Sequence, residues 1–182
     1  MKKTLNCTTR CVALLCMLLG PALAVADETT ELLDRLQIME LQSRYALAHD
    51  LTDPAQYAAV FSEDAELVSG DRVLAKGRDA FYNIAVNDRK RYNNDAPMDE
   101  RSFGVMRHVV TNSVIDLTGP DTAKGLCYVM TIANLKDYGP AILSIGRYED
   151  EFRKVDGKWY ISRRQIAMDW GNNELAAQVF GP

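Results

Sequence analysis

The order of its periodicities predicts an α+β fold for this chain, with helices on one face of a long, curved antiparallel sheet. Three observations lead there. Helical spacing of apolar residues dominates the first half, up to Tyr92, apart from one short hairpin, whereas two-residue alternation dominates the second. Tight turn signals, Gly119-Pro120-Asp121 and Asp156-Gly157, separate the alternating runs. Those runs exceed the about five or six residues of an ordinary strand, and successive neighbours of such length must coil strongly. Helices first and strands afterwards means segregated layers rather than alternating β and α units.

The first segment, MKKTLNCTTRCVALLCMLLGPALAVADETT, has the build of a secretory leader: Lys2, Lys3 and Arg10, an apolar stretch from Cys11 to Val25, then Ala24-Val25-Ala26. Cleavage is expected after Ala26, giving residues 1–26 as leader and 27–182 as one mature domain, periplasmic or secreted. The apolar run is shorter than the roughly 18 residues of a membrane span. Cys16 lies inside it rather than at a cleavage site, which argues against lipidation.

From Glu31 to Asp50 the apolar residues form two helical stripes, Ile38, Leu41, Tyr45, Ala48 and, beside them, Leu36, Met39, Ala46. Thr29 or Thr30 can cap the start. Asp53-Pro54 opens a short second helix, PAQYAAVF, with Asp53 as N-cap and Pro54 at the first helical position. AELVSGDRVLAKG reads as two short strands around Ser69-Gly70-Asp71, and GRDAFYNIAVNDRKRY as a third helix. Residues 93–103 have loop composition and could form a lid. Four long strands follow, with turns at 119–121, 137–140 and 156–157.

Composition excludes several classes. The whole chain carries 21 basic and 25 acidic residues; loss of the leader removes three basic and no acidic ones, leaving a net charge of −7. That balance, with no basic run, argues against nucleic acid. Three of the four cysteines fall in the leader, so Cys127 has no intrachain disulfide partner in the mature chain. Two histidines, one mature cysteine and no carboxylate cluster at ligand spacing make a metal site improbable, and phosphate-binding glycine loops and a G-x-S-x-G elbow are absent. Any chemistry is expected to run without a cofactor.

The residues that could carry chemistry are few. Asp50 sits at a helix C-terminus, where the macrodipole disfavours an anion; it either caps the DLTD turn or has a distant partner. His49 suits the same position and reads as a surface residue. His108 lies within the first long strand, where alternation puts it with Val110, Asn112 and Val114 on the more apolar face, assigned to the concave side. It is either a hydrogen-bonded strand residue or a base. Tyr45, Tyr57, Tyr128, Tyr148 and Trp170 could line a pocket or simply pack. Only one of Arg163 and Arg164 can enter a cavity, and Asp169 is a further acid candidate.

Three strings, IMELQSRYALAHDLTDPAQYAAVFSEDAEL, MRHVVTN and GRYEDEFRKVDGKWYISRR, together with the order of elements, resemble the SnoaL-like branch of the nuclear transport factor 2-like superfamily. Its relatives include scytalone dehydratase, hexachlorocyclohexane dehydrochlorinase and, more distantly, ketosteroid isomerase. The resemblance implies a curved sheet wrapped around a long helix as a cone, with a deep apolar pocket and homodimers formed through the outer sheet face. In the dehydratase and dehydrochlorinase an Asp at the end of the first helix pairs with a His on the first long strand and removes a proton; those positions match Asp50 and His108. This implies a lyase or isomerase acting on a small hydrophobic, cyclic or polyketide-like molecule, with Tyr45, Tyr57, Asn112, Tyr128, Tyr148 and Trp170 as pocket residues. A non-catalytic binding or dimerisation domain of the cell envelope is the alternative. The pattern departs from its relatives at His49, where the dehydratase has Tyr, at Tyr45, where the dehydrochlorinase has Lys, and at Gly146 and Tyr148, where the dehydratase has Ser and Asn. The dehydratase's second histidine has no counterpart.

Overall fold

The computed structural model describes residues 8–92, 106–135 and 139–180. The expected lid at 93–103 and the first half of the turn at 137–140 lie outside them. By internal contacts the chain divides after Leu36. In the N-terminal unit the described residues are helical, forming the first part of α1 (Thr8–Asp50). This helix begins well before Glu31, because the Leu- and Ala-rich stretch ahead of it is itself a good helix former. No helix among the described residues is long and apolar enough to cross a membrane.

The second unit, from Gln37 onward, holds the remaining elements. They are α2 (Pro54–Ala59), β1 (Phe61–Ser69), β2 (Arg72–Lys76), α3 (Arg78–Tyr92), β3 (Met106–Gly119), β4 (Thr122–Leu135), β5 (Gly139–Val155), β6 (Lys158–Gly171) and α4 (Asn173–Phe180). Among the described residues the strands form one curved, unclosed sheet in the order β2-β1-β6-β5-β4-β3. All pairings are antiparallel except β1 with β6, which run parallel, a departure from the expected antiparallel sheet that no turn signal or periodicity marks.

Each turn has a local cause. Gly70 at φ 56° closes β1 onto β2, and Asp156 and Gly157 at φ 50° and 76° form the two-residue turn that hairpin twist favours. Asp53 caps α2 by accepting the Gln56 amide at 3.0 Å. Asn172 caps α4 in the same way, its Oδ1 taking the Leu175 amide at 3.0 Å. This last helix was not expected from the sequence, although Asn172 followed by Asn173-Glu174 is a start signal.

The buried stripe of α1 is Ile38, Leu41, Tyr45 and Ala48, as expected; of the second stripe only Ala46 is buried, while Leu36 and Met39 are exposed. Tyr45, Tyr57, Phe61, Phe81, Tyr148, Phe152, Trp159 and Ile161 form the centre of the main core. A smaller cluster, Met106, Ala133, Leu135 and Leu143 with Leu175 against it, lies where α4 covers the sheet.

Candidate active site

The site begins at the last turn of α1. The amide of Asp53 bonds to the carbonyl of Ala48 and that of Thr52 to the carbonyl of His49, both at 2.9 Å, with Thr52 at φ 48°. This is a Schellman ending with a threonine in the left-handed position usually held by glycine. The backbone therefore satisfies the DLTD turn by itself, and the Asp50 carboxylate is not needed to cap it.

Asp50 instead reaches β3. Its Oδ1 lies 2.7 Å from His108 Nδ1, and both carboxylate oxygens accept the His108 backbone N–H at 3.0 Å. Both side chains are buried, at 4% and 9% exposure. The carboxylate thus fixes the strand and the ring together, holds the proton of a neutral imidazole on Nδ1 and leaves the lone pair on Nε2. Burial lowers the His108 pKa from its ordinary 6.5; the hydrogen bond from Asp50 opposes this, while the nearby His49 and Arg164 add to the lowering. The ring is therefore neutral at pH 7, as a base must be.

His108 lines a cavity of about 690 Å³. Met106, Leu143, Met168 and Trp170 give it apolar walls, and Thr131, Ser144, Asn172 and Asn173 supply hydroxyls and amides. His49 and Asp88 also line it. His49 is not the surface residue its position suggested: its Nε2 is 3.2 Å from Asp88 Oδ2 and its ring stacks on that of His108.

The other expected pocket residues divide. Trp170 and Asp169 line the cavity, with Asp169 also accepting a bond from Arg147 at 2.8 Å. Tyr45, Tyr57 and Tyr148 are buried in the core behind it, in contact with one another or with neighbouring rings, and are not among its lining residues. Burial pushes the phenols of Tyr57 and Tyr148 well above their ordinary 10, so they stay neutral. Asn112 does not face the concave side. A bulge in β3, where register is lost between Thr111 and Val114, places Asn112 at φ 56° and turns it outward. Ser113 and Ile115 point inward instead, leaving Val114 57% exposed. Tyr128, paired with Thr111 just before the bulge, is 52% exposed and away from the cavity. Simple alternation fails from Thr111 onward because one extra residue reverses every later side chain.

The sequence matches the SnoaL-like domain family over residues 30–165. The chain belongs to that family. Among its relatives is the gamma-hexachlorocyclohexane dehydrochlorinase of Sphingobium indicum, 25% identical over 156 residues that cover 86% of this chain and 93% of the relative. A Novosphingobium aromaticivorans structure provisionally assigned as a scytalone dehydratase is 26% identical, with a TM-score of 0.65 over 80% of this chain and 90% of its own. A nuclear transport factor 2-like protein with a cystatin-like fold from the same organism, 22% identical, superposes with a TM-score of 0.67 over 85% of this chain and 94% of its own, and speaks for the fold alone.

Behind the cavity this SnoaL-like domain buries a charged pair. Arg164 takes the inward position and donates from Nε and Nη2 to the two oxygens of Asp150 at 2.8 and 2.6 Å, both side chains fully buried. The guanidinium lies between the rings of Tyr45 and Tyr148, 3.9 and 4.1 Å from their centroids. Burial works against its charge, but Asp150 more than offsets this and raises the arginine's proton affinity. Gln42 joins α1 to the pair, donating to Asp150 Oδ2 at 3.3 Å and accepting from Ser113. Among the described residues no group of three or more His, Cys, Asp or Glu side chains is placed to hold a metal.

Proposed function

We propose that this SnoaL-like domain is a cofactor-independent lyase that acts on a small, largely apolar molecule by proton abstraction. One observation carries the reading: His108, its Nδ1 held at 2.7 Å by a buried carboxylate, lines a cavity large enough for such a substrate. The Nε2 lone pair takes a proton from carbon, the C–H electrons form a double bond, and the leaving group departs from the neighbouring carbon. Asp50 steadies the imidazolium that results, more strongly for being shielded from water. The relatives' names support elimination chemistry, since loss of hydrogen chloride and loss of water are both β-eliminations. The apolar walls favour a compact hydrophobic substrate, and the hydroxyls and amides among them could bind a carbonyl or hydroxyl group.

The bifurcated hydrogen bond that the His108 backbone N–H donates to both Asp50 oxygens favours a second reading, a pin between helix and strand in a non-catalytic binding domain. Turnover of a phenyl-substituted β-hydroxy ketone and its β-chloro analogue, read as absorbance of the unsaturated ketone, separates the two. The lyase reading expects turnover by the natural protein and its loss in a folded H108Q variant. Undiminished turnover in H108Q, or an H108Q that unfolds without any turnover in the natural protein, favours the pin. The leader supports export to the periplasm or medium. The exposed apolar side chains Val114, Leu126, Tyr128 and Ile145 support a homodimer through the sheet.

A further inference from the structure

The cavity wall carries a second imidazole–carboxylate pair. The chain has only two histidines, and the fold stacks them: the rings of His49 and His108 lie 4.6 Å apart at 27°. On its other contacts His49 meets Tyr57, stacked at 5.0 Å, and Tyr45 at 5.9 Å. Its Nε2 is 3.2 Å from Asp88 Oδ2 on α3, and both residues line the same cavity as His108. The His49 Nδ1 is buried with no hydrogen-bond partner among the described residues, so Asp88 alone orients the ring by hydrogen bonding.

Elimination of a halide needs only a base, because chloride leaves as a stable anion. Elimination of a hydroxyl group needs an acid as well, because hydroxide is a poor leaving group. We propose that His49 and Asp88 are that acid: a second proton-transfer pair that protonates a hydroxyl leaving group while His108 and Asp50 take the proton from carbon. The proposal rests on the elimination reading above and assigns its substrate class as β-hydroxy carbonyl compounds. The balance is complete. The C–H proton goes to His108 Nε2, the C–H electron pair becomes the new double bond, and the C–O pair leaves with oxygen. That oxygen takes the proton shared by His49 and Asp88 and departs as water. His108 then holds one proton more than at the start and the second pair one fewer, so a single transfer between them through cavity water restores the starting state.

The electrostatics suit one proton shared by two rings. Two imidazolium ions in face contact repel, whereas Asp50 favours charge on His108. Arg164 further disfavours it on His108. Tyr45 and Tyr57 pack on His49, Tyr57 with its phenol kept neutral by burial, and Asp169 across the wall is ion-paired with Arg147.

The experiment has two arms. In the first, NMR titration follows the imidazole carbon resonances of both histidines in the natural protein, in H49Q and in H49F, which keeps a stacked ring without a titrating group. Loss of His49 is expected to raise the midpoint of His108 by about half a pH unit or more. An unchanged midpoint in folded H49Q and H49F overturns the coupling and the proposal with it. In the second, H49F and D88N are assayed on the β-hydroxy ketone and its β-chloro analogue. The ratio of hydroxyl to chloride turnover is expected to fall about tenfold or more. An unchanged ratio makes the pair a structural tie between α1 and α3. Failure of the natural protein to turn over either compound would instead remove the elimination reading on which the pair's role depends.

Discussion

Replacing Arg164 by Met tests the buried charged pair most severely. The substitution keeps much of the stem that fills the space between Tyr45 and Tyr148 but removes both bonds to Asp150. Asp150 would then keep only Gln42 at 3.3 Å as a donor to one oxygen, in a fully buried position. Stranding one member of such a pair costs about 3 to 5 kcal/mol, a large share of the about 5 to 15 kcal/mol that holds a domain of this kind together. D150L strands the guanidinium instead and is expected to cost as much. If the two losses were independent, R164M/D150L would lose about 6 to 10 kcal/mol. Removing both charges leaves neither stranded, so the double variant should lose about 3 kcal/mol or less. The Nη1 of Arg164 already lacks a partner among the described residues, which strengthens that expectation. Urea denaturation followed by circular dichroism measures all four proteins, with an osmolyte added equally where a single variant is too unstable. Additive losses, or a single substitution costing less than about 1 kcal/mol, would refute the account of the pair.

Four further outcomes follow from the same geometry. Because the folded pKa of His108 lies below its ordinary 6.5, activity should rise with pH through that lower value and be flat near pH 7. The unfolded chain binds the proton that the folded one refuses, so stability contributed by this group is full above 6.5 and is lost as pH falls through the folded value; H108Q should flatten that part of the stability profile. N112A should destabilise by about 1 kcal/mol through its left-handed backbone and leave KM unchanged, while N112G stays within about 0.5 kcal/mol; a raised KM would return Asn112 to the site. W170A, at a half-exposed position on the cavity wall, should raise KM several-fold at a stability cost of about 1 kcal/mol or less, and an unaltered KM would argue that substrate binds elsewhere.

The sequence carried the fold because periodicity and turn chemistry agree at nearly every boundary. Asp53-Pro54, Gly70 and Asp156-Gly157 each fix a junction by local physics alone. At Asp50 an anion at the wrong end of a helix dipole called for an explanation, but only the resemblance to the SnoaL-like branch pointed to His108 as its partner, which β3 supplies. Asn112 was misplaced because a bulge depends on pairing with β4, which no single strand's pattern records, and Tyr128 because the alternation of β4 turns Cys127 and Val129 inward and Tyr128 out. Tyr45, Tyr57 and Tyr148 have the composition of pocket residues, yet they enclose Arg164 and one another in the core. Asp88 lies in a polar helix end, NDRKRY, where nothing local distinguishes it from its neighbours. His49 looked well suited to solvent, and only the tertiary fold brings His108 to its face.

The central claim is that His108 removes a proton from carbon. Incorporation of deuterium from heavy water into the position next to the carbonyl of the β-hydroxy ketone, followed by NMR, tests it without requiring the leaving group to depart. Rapid incorporation by the natural protein, about a hundredfold or more slower in folded H108Q and reduced in D50N, is the predicted result. Equal incorporation by the natural protein and H108Q would contradict it.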